Sequence, residues 1–146
     1  MKRRTLEDMS HGELEKLLDA EISFFVRAAP AQYSEFPGMV PCYTCGKLYF
    51  WKGLDCGHFI PRHHQGTRFD LRNLRPQCTQ CNCYHEGEHW QYRINLVAEI
   101  GEEAVQDLEL TASRWGAKRH AREWLIENIE GWRERNKPLR KAMRGE

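Results

Sequence analysis

The sequence predicts an α+β fold in which a four-cysteine zinc site clamps a small ββα core, with helices before and after that core wrapped around it. Three observations carry this expectation. Cys42-Tyr43-Thr44-Cys45 and Cys78-Thr79-Gln80-Cys81 are two CxxC pairs, a spacing that lets four soft thiolates reach one tetrahedral ion. Between the pairs lie strand-forming runs separated by turn signals, and Asn82 follows the last cysteine at the opening of a helical turn. On both flanks, apolar residues recur at helical spacing. With 146 residues and 40% hydrophobic content, the chain suits one domain, 1–146, in three parts: an N-terminal helix over 11–29, the zinc-clamped core over 42–89 and a helical region over 90–146.

Ser10 and Glu13 form a capping box, after which Leu14, Leu17, Leu18, Ile22, Phe25 and Val26 mark one amphipathic helix that Pro30 stops. Pro30, Pro37, Gly38 and Pro41 make 31–41 an extended connection into the first knuckle. Leu48 to Trp51 suits a strand, Lys52-Gly53 a turn and Leu54 to Ile60 a second strand, which together predict a hairpin between the knuckles. A polar loop rich in histidine and arginine runs from Pro61 to Asp70, and Asn73 to Pro76 leads into the second knuckle. Asn82 to Glu88 opens a short helix; helices are also expected over Trp90 to Ile100, stopped by Gly101, over Glu102 to Leu110, and from Gly116 to Asn136, ended by Pro138. The basic stretch from Arg133 to Arg144 reads as a solvated, frayed helix end.

The net charge of +1 does not announce a nucleic-acid partner, but the charge is unevenly distributed. From Cys42 to His85 there are Lys47, Lys52, Arg62, Arg68, Arg72 and Arg75 against Asp55 and Asp70. Six cysteines in a small chain also fit a secreted disulfide scaffold, but Met1-Lys2-Arg3-Arg4 leads straight into an amphipathic segment rather than a signal peptide, so a reducing cytoplasm is expected. No apolar run approaches the roughly 20 residues of a membrane-spanning helix. Cys56 and Cys83 read as small buried hydrophobes rather than ligands.

Phosphodiester hydrolysis needs a base for water, a cation on the phosphate and donors that fix the backbone. His58, near the end of the second strand, is the candidate base, because imidazole titrates near neutral pH. Asp55 and Asn82 are candidate oxygen ligands for Mg²⁺ or Mn²⁺, with His85 one helical turn on as a further candidate. Asn73 is the candidate bridge from loop to strand, expected to hold His58 through its backbone or its ring. Arg62, Arg68, Arg72 and Arg75 are candidate phosphate contacts, although Arg68 with Asp70 also reads as a pair that holds the loop together. For Asn82 the competing role is a helix cap, which does not exclude ligation. Trp115, Trp124 and Trp132 read as core or interface rather than stacking platforms.

Cys42-x-x-Cys45, Asp55-Cys56-Gly57-His58-Phe59, Arg68-Phe69-Asp70-Leu71-Arg72-Asn73 and Cys78-x-x-Cys81-Asn82, continued by Tyr92-Arg93 and Ile100 to Val105, resemble the phage NinG (Rap) recombination endonucleases of the HNH, or ββα-metal, nuclease class. The resemblance covers about residues 41–110. It implies cleavage of branched recombination intermediates such as Holliday junctions and D-loops, a divalent metal at the HNH site, 5′-phosphate products and a location in the bacterial host cytoplasm. Recombination proteins are then expected partners, and a homodimer through the apolar faces of the terminal helices is expected for paired cuts. One departure stands out: most HNH members carry Asp or His immediately before the base, and this chain has Gly57. The expectation is that Asp55, on the same strand face, replaces that ligand and reaches the ion through the space left at Gly57. An HNH nickase of ordinary duplex and a non-enzymatic zinc module that binds nucleic acid or protein are the alternatives.

Overall fold

The computed structural model describes residues 2–84 and 88–146. Helix α1, His11–Ala28, begins at the expected capping box: the Ser10 hydroxyl accepts from the Glu13 N–H at 3.2 Å, and the Ser10 N–H donates to Glu13 Oε2 at 2.8 Å. Two short antiparallel sheets follow. In the first, β1 (Met39–Pro41) pairs with β2 (Leu48–Phe50); in the second, β3 (Asp55–His58) pairs with β4 (Leu74–Gln77). The hairpin expected from Leu48 to Ile60 is therefore not formed. Trp51–Gly53 makes a turn of 3-10 helix that carries β3 out of register with β2, and β3 takes its partner from the segment read as a mere lead-in to the second knuckle. Pro61 to Asp70 becomes the hairpin loop, and a wide π-type turn, Gln80–Tyr84, completes β-β-α after β4. The connection 31–41 is not wholly extended either, since Pro30–Tyr33 forms a short 3-10 helix.

Three helices close the chain: α2 (His89–Ile100), α3 (Glu102–Trp115) and α4 (Arg122–Met143). Around the β3–β4 hairpin lie three apolar clusters. Leu14, Leu18 and Ile22 of α1 meet Leu125 and Ile129 of α4 and Leu74 of β4. Tyr92 and Leu96 of α2 and Val105 and Leu108 of α3 cover Phe59 and Ile60 just beyond β3. Trp51, Leu54 and Val40 pack with Cys42, Cys78 and Cys81.

Helix α4 runs through Pro138, where the sequence predicts a stop, and so the Arg133 to Arg144 stretch is not a frayed end. Proline lacks the N–H that would reach back one turn, a loss of about 3 kcal/mol in a helix interior. What offsets it is the packed face on either side: Leu139 is buried, Asn136 is fully buried, and both Asn136 Nδ2 (2.9 Å) and Arg140 Nη2 (2.8 Å) reach Glu21 Oε2 on α1. The same packing sets the apolar stripes of α1 and α4 against each other.

Candidate metal centre and hydrolytic site

The four knuckle cysteines converge, with their Sγ atoms all within 4.8 Å of one another. Four sulfurs at Zn–S bond length sit about 3.8 Å apart on a tetrahedron, so the set fits a structural metal such as zinc after small inward shifts. Local backbone bonds shape each knuckle. The Cys42 N–H donates to Lys47 O and the Gly46 N–H to Cys42 O, both at 2.9 Å, with Gly46 in the left-handed region at φ +78°. In the second, the Cys81 N–H points at Cys78 Sγ, 3.4 Å away. The Tyr43 N–H donates to Pro76 O at 2.9 Å and joins the two knuckles. Burial pushes the Cys42 thiol up, but hydrogen bonds from the Cys45 backbone and the Thr44 hydroxyl outweigh it and bring the thiol down to about 6. Cys81, with burial dominant, is pushed up to about 12. Cys56 stands outside the cluster, its thiol raised to about 12 by burial; Cys83 is exposed, contrary to expectation.

His58 ends β3, and its backbone is held on both sides. The buried Tyr92 hydroxyl of α2 donates to Gly57 O at 2.8 Å. Beyond it, Asn73 is fully buried and stitches the returning chain: its Oδ1 accepts from the Ile60 N–H at 2.7 Å, and its Nδ2 donates to Ile60 O at 3.0 Å and Thr67 O at 3.2 Å. Asn73 thus ties the loop to the backbone at Ile60, two residues past His58, rather than to His58 itself. In the sequence Tyr92 stands out only as part of the NinG-like Tyr92-Arg93 pair, with no role attached to its hydroxyl.

The candidate ligands Asp55 and Asn82, 27 residues apart in sequence, meet in space, with Asn82 Nδ2 donating to Asp55 Oδ2 at 3.2 Å. Turning the amide over presents its oxygen beside the carboxylate, a hard oxygen pair of the kind Mg²⁺ or Mn²⁺ takes. His85 lies outside the described residues. The space expected at Gly57 is absent. Gln77, fully buried, fills it so closely that a Cβ on Gly57 would lie 2.0 Å from Gln77 Oε1.

Two cavities meet at His58. One, of about 490 Å³, lies between α1 and β3 and is bordered by Asp19, Asp55, Cys56, His58, Arg62 and Arg68 among others. The other, of about 450 Å³, is bordered by Cys56, His58, Phe59, Pro61, Arg62, Asn82 and His89. His89, the first residue of α2, stacks on Phe59 with ring centroids 4.8 Å apart and was not singled out by the sequence; its only signal there was proximity to the second knuckle. Burial lowers the His58 pKa and favours the neutral ring, with the Arg62 and Arg68 charges adding to the effect and Asp19 and a hydrogen bond to the Arg68 backbone opposing it. Its Nε2 has no hydrogen-bond partner among the described residues.

Three of the four candidate phosphate contacts are occupied within the molecule. Arg68 grips Asp19 of α1 with two nitrogens at 2.6 and 3.2 Å and has only 12% of its side chain exposed. Arg72 pairs with Asp70 at 2.9 Å and with Asp107 of α3 at 3.1 Å. Arg75 binds Glu99 of α2 at 3.1 Å and donates to Leu71 O and Leu74 O. Each thus ties the hairpin to a different helix. Arg62 alone of the four has an open head, 65% exposed and 3.9 Å from Asp19.

A family model described as "Bacteriophage Lambda NinG protein" matches residues 1–145. The chain belongs to the NinG family. Protein ninG of Escherichia phage 933W is 37% identical over 76 residues, 51% of this chain and 37% of that protein. For protein ninG of Escherichia phage lambda the figures are 33% over 92 residues, 62% of this chain and 41% of the relative, and for that of Salmonella phage P22, 37% over 71 residues, 48% and 34%. The match to these NinG proteins spans roughly two fifths or less of their own length. No solved structure matches the chain. Among the described residues of this NinG chain, no helix is long and apolar enough to cross a membrane.

Proposed function

We propose that this NinG-family chain is a metal-dependent DNA endonuclease of the ββα-metal (HNH) kind that acts on branched recombination intermediates. The observation that carries the reading is the meeting of Asp55 and Asn82 on the rim of the cavities that His58 borders. Three chemistry-bearing side chains from a strand and from the turn after the second knuckle have no need to converge in a purely structural zinc module. His58, neutral and with Nε2 unpartnered, takes the proton from a water that attacks phosphorus. Asn73 and Tyr92 fix the backbone on either side of it, so the ring does not drift during proton transfer. Asp55 and Asn82 would hold the divalent cation, which when bound supplies positive charge at the phosphate and leaving 3′ oxygen. Arg62 meets a neighbouring phosphate. Preference for four-way junctions or D-loops, and work alongside recombination proteins in the host cytoplasm, follow from the NinG/Rap resemblance.

The test is cleavage of end-labelled four-way junction, flap and linear duplex DNA with Mg²⁺ or Mn²⁺, wild type against His58→Ala at matched zinc content. Cutting confined to branched DNA and lost in the variant is the expected result. Equal cutting of linear duplex replaces the junction enzyme with a general nickase, and binding without cutting by zinc-loaded wild type replaces the enzyme with a binding module.

A further inference from the structure

The cavity between α1 and β3 has a wall the hydrolytic reading does not use. Along α1, Lys16, Asp19, Ala20, Ser23 and Arg27 border it, a spacing of three and four residues that sets them on one helical face. Leu14, Leu18, Ile22 and Val26 form the core-facing side of the helix, with Ile22 also at the edge of the cavity. Across the cavity, Lys52 comes from the connection between β2 and β3. Five cations and two carboxylates border this space, although the chain as a whole carries a net +1. Of those carboxylates, Asp19 is committed to Arg68, and Asp55 is the candidate cation ligand.

Lys16, Arg27 and Lys52 have no ion pair among the described residues. Arg27 and Lys52 both lie against the Trp51 ring, 5.7 and 5.6 Å from its centroid, which brings two like charges to one indole with no carboxylate between them. Arg27 is oriented by its own helix, with Nε donating to the Ser23 hydroxyl at 3.0 Å and carbonyl at 3.2 Å, and Nη1 reaching Leu54 O at 3.5 Å. Such an arrangement repels itself until an anion enters, and a polyanion that spans several cations at once neutralises it best. Ala20 and Ser23, between the cations, are short and leave the groove passable.

We propose that α1 and the β2–β3 connection, through Lys16, Arg27 and Lys52, form the track that grips the sugar-phosphate backbone of the nucleic acid and leads it past His58 to Arg62. The proposal rests on the nucleic-acid reading above and moves the phosphate contacts from the hairpin arginines, which are tied to helices, to the N-terminal helix. The contact is to phosphate and carries no sequence preference.

The experiment measures binding of a labelled four-way junction and a linear duplex, each in two unrelated sequences, across a salt series. Zinc-loaded His58→Ala serves as the uncut background, and Lys16→Ala with Lys52→Ala is added to it; both lysines are exposed, so the fold tolerates their loss. Each phosphate contact removed lowers the slope of log affinity against log salt by about 0.9, so the double variant should lose about 1.8 in slope and roughly 10- to 100-fold in affinity at about 0.1 M salt, equally for both sequences. Lys141→Ala, an exposed cation in the last turn of α4, should change neither. An unaltered slope and affinity in the double variant overturns the track even if the wild type cuts DNA. A lowered slope with no cutting by the wild type keeps the track and removes the hydrolytic reading, and absence of DNA binding by the His58→Ala background removes both.

Discussion

The sulfur cluster and the oxygen site around His58 share the turn after β4, which carries both Cys81 and Asn82, yet they are specified in opposite ways. Each CxxC knuckle builds itself from neighbouring residues, and a few long-range bonds, Tyr43 N–H to Pro76 O and Gln77 Nε2 to the Thr44 hydroxyl among them, join the two. The candidate hydrolytic site has no local unit. His58 and Asp55 come from β3, Asn82 from the turn after β4, Asn73 from the end of the hairpin loop, and Tyr92 and His89 from α2. A structural metal can therefore be written into spacing, whereas a reaction centre has to be written into strand register and helix docking. Perturbing the first should remove the fold and the activity together, and perturbing the second should separate them.

The largest effect expected is that of Cys81→Ser or zinc removal by a chelator. Structural zinc in small domains contributes apparent binding free energies on the order of 10 kcal/mol, so melting followed by circular dichroism should show the knuckles and β-sheets lost well before α1 and α4 separate. A cooperative melt unchanged by chelation would mean that the sulfurs hold nothing. His58→Ala should lower DNA cleavage by roughly 10²- to 10⁴-fold with zinc content and melting temperature preserved, which is the separation the comparison demands.

Asn73→Ala lies between the two regions. It leaves the Ile60 N–H and the Ile60 and Thr67 carbonyls without their buried partner, for a loss of about 2–4 kcal/mol in denaturant unfolding together with reduced cleavage. Gly57→Ala pushes a methyl into Gln77 and should destabilise by about 1–3 kcal/mol; undiminished stability would show that Gln77 swings clear and that the room expected beside Asp55 can be opened.

The smallest effect is on pH dependence. Burial lowers the folded-state pKa of His58 below its unfolded value of about 6.5, so its contribution to stability is complete above that pH and is lost as pH falls through the lowered value. Glu15, pushed up by burial but pulled further down by Arg119 and Arg68, contributes in the same direction at lower pH, from its unfolded value of about 4.5 downward. Unfolding monitored between these two windows should show the upper step vanish in His58→Ala and the lower one remain. The acid limb of cleavage should likewise lie below the ordinary imidazole value.

What was legible in the sequence follows the same division. The capping box of Ser10, the stop at Gly101 and the four-cysteine cluster are local signals, and they stand where the spacing puts them. Strand pairing was not legible, because Leu48 to Trp51 and Leu54 to Ile60 are both strand-like and adjacent; the 3-10 turn at Trp51–Gly53 that keeps them apart depends on packing of Trp51 against Phe24 of α1. The arginines failed for a related reason. Arg68, Arg72 and Arg75 look free in the sequence, and the helix acids that hold them, Asp19, Asp107 and Glu99, lie 24 to 49 residues away. The passage of α4 through Pro138 is likewise decided by a distant residue, Glu21.

That last contact has a consequence in time. Asn136 and Glu21 are separated by 115 residues, so at about 5–20 residues per second the ribosome takes roughly 6 to 23 s between adding one and the other. Throughout that interval Leu14, Leu18 and Ile22 lack the helix that covers them. The apolar face of α1 therefore stays uncovered on the nascent chain until α4 has been made, so translation speed between the two helices sets how long that face is exposed.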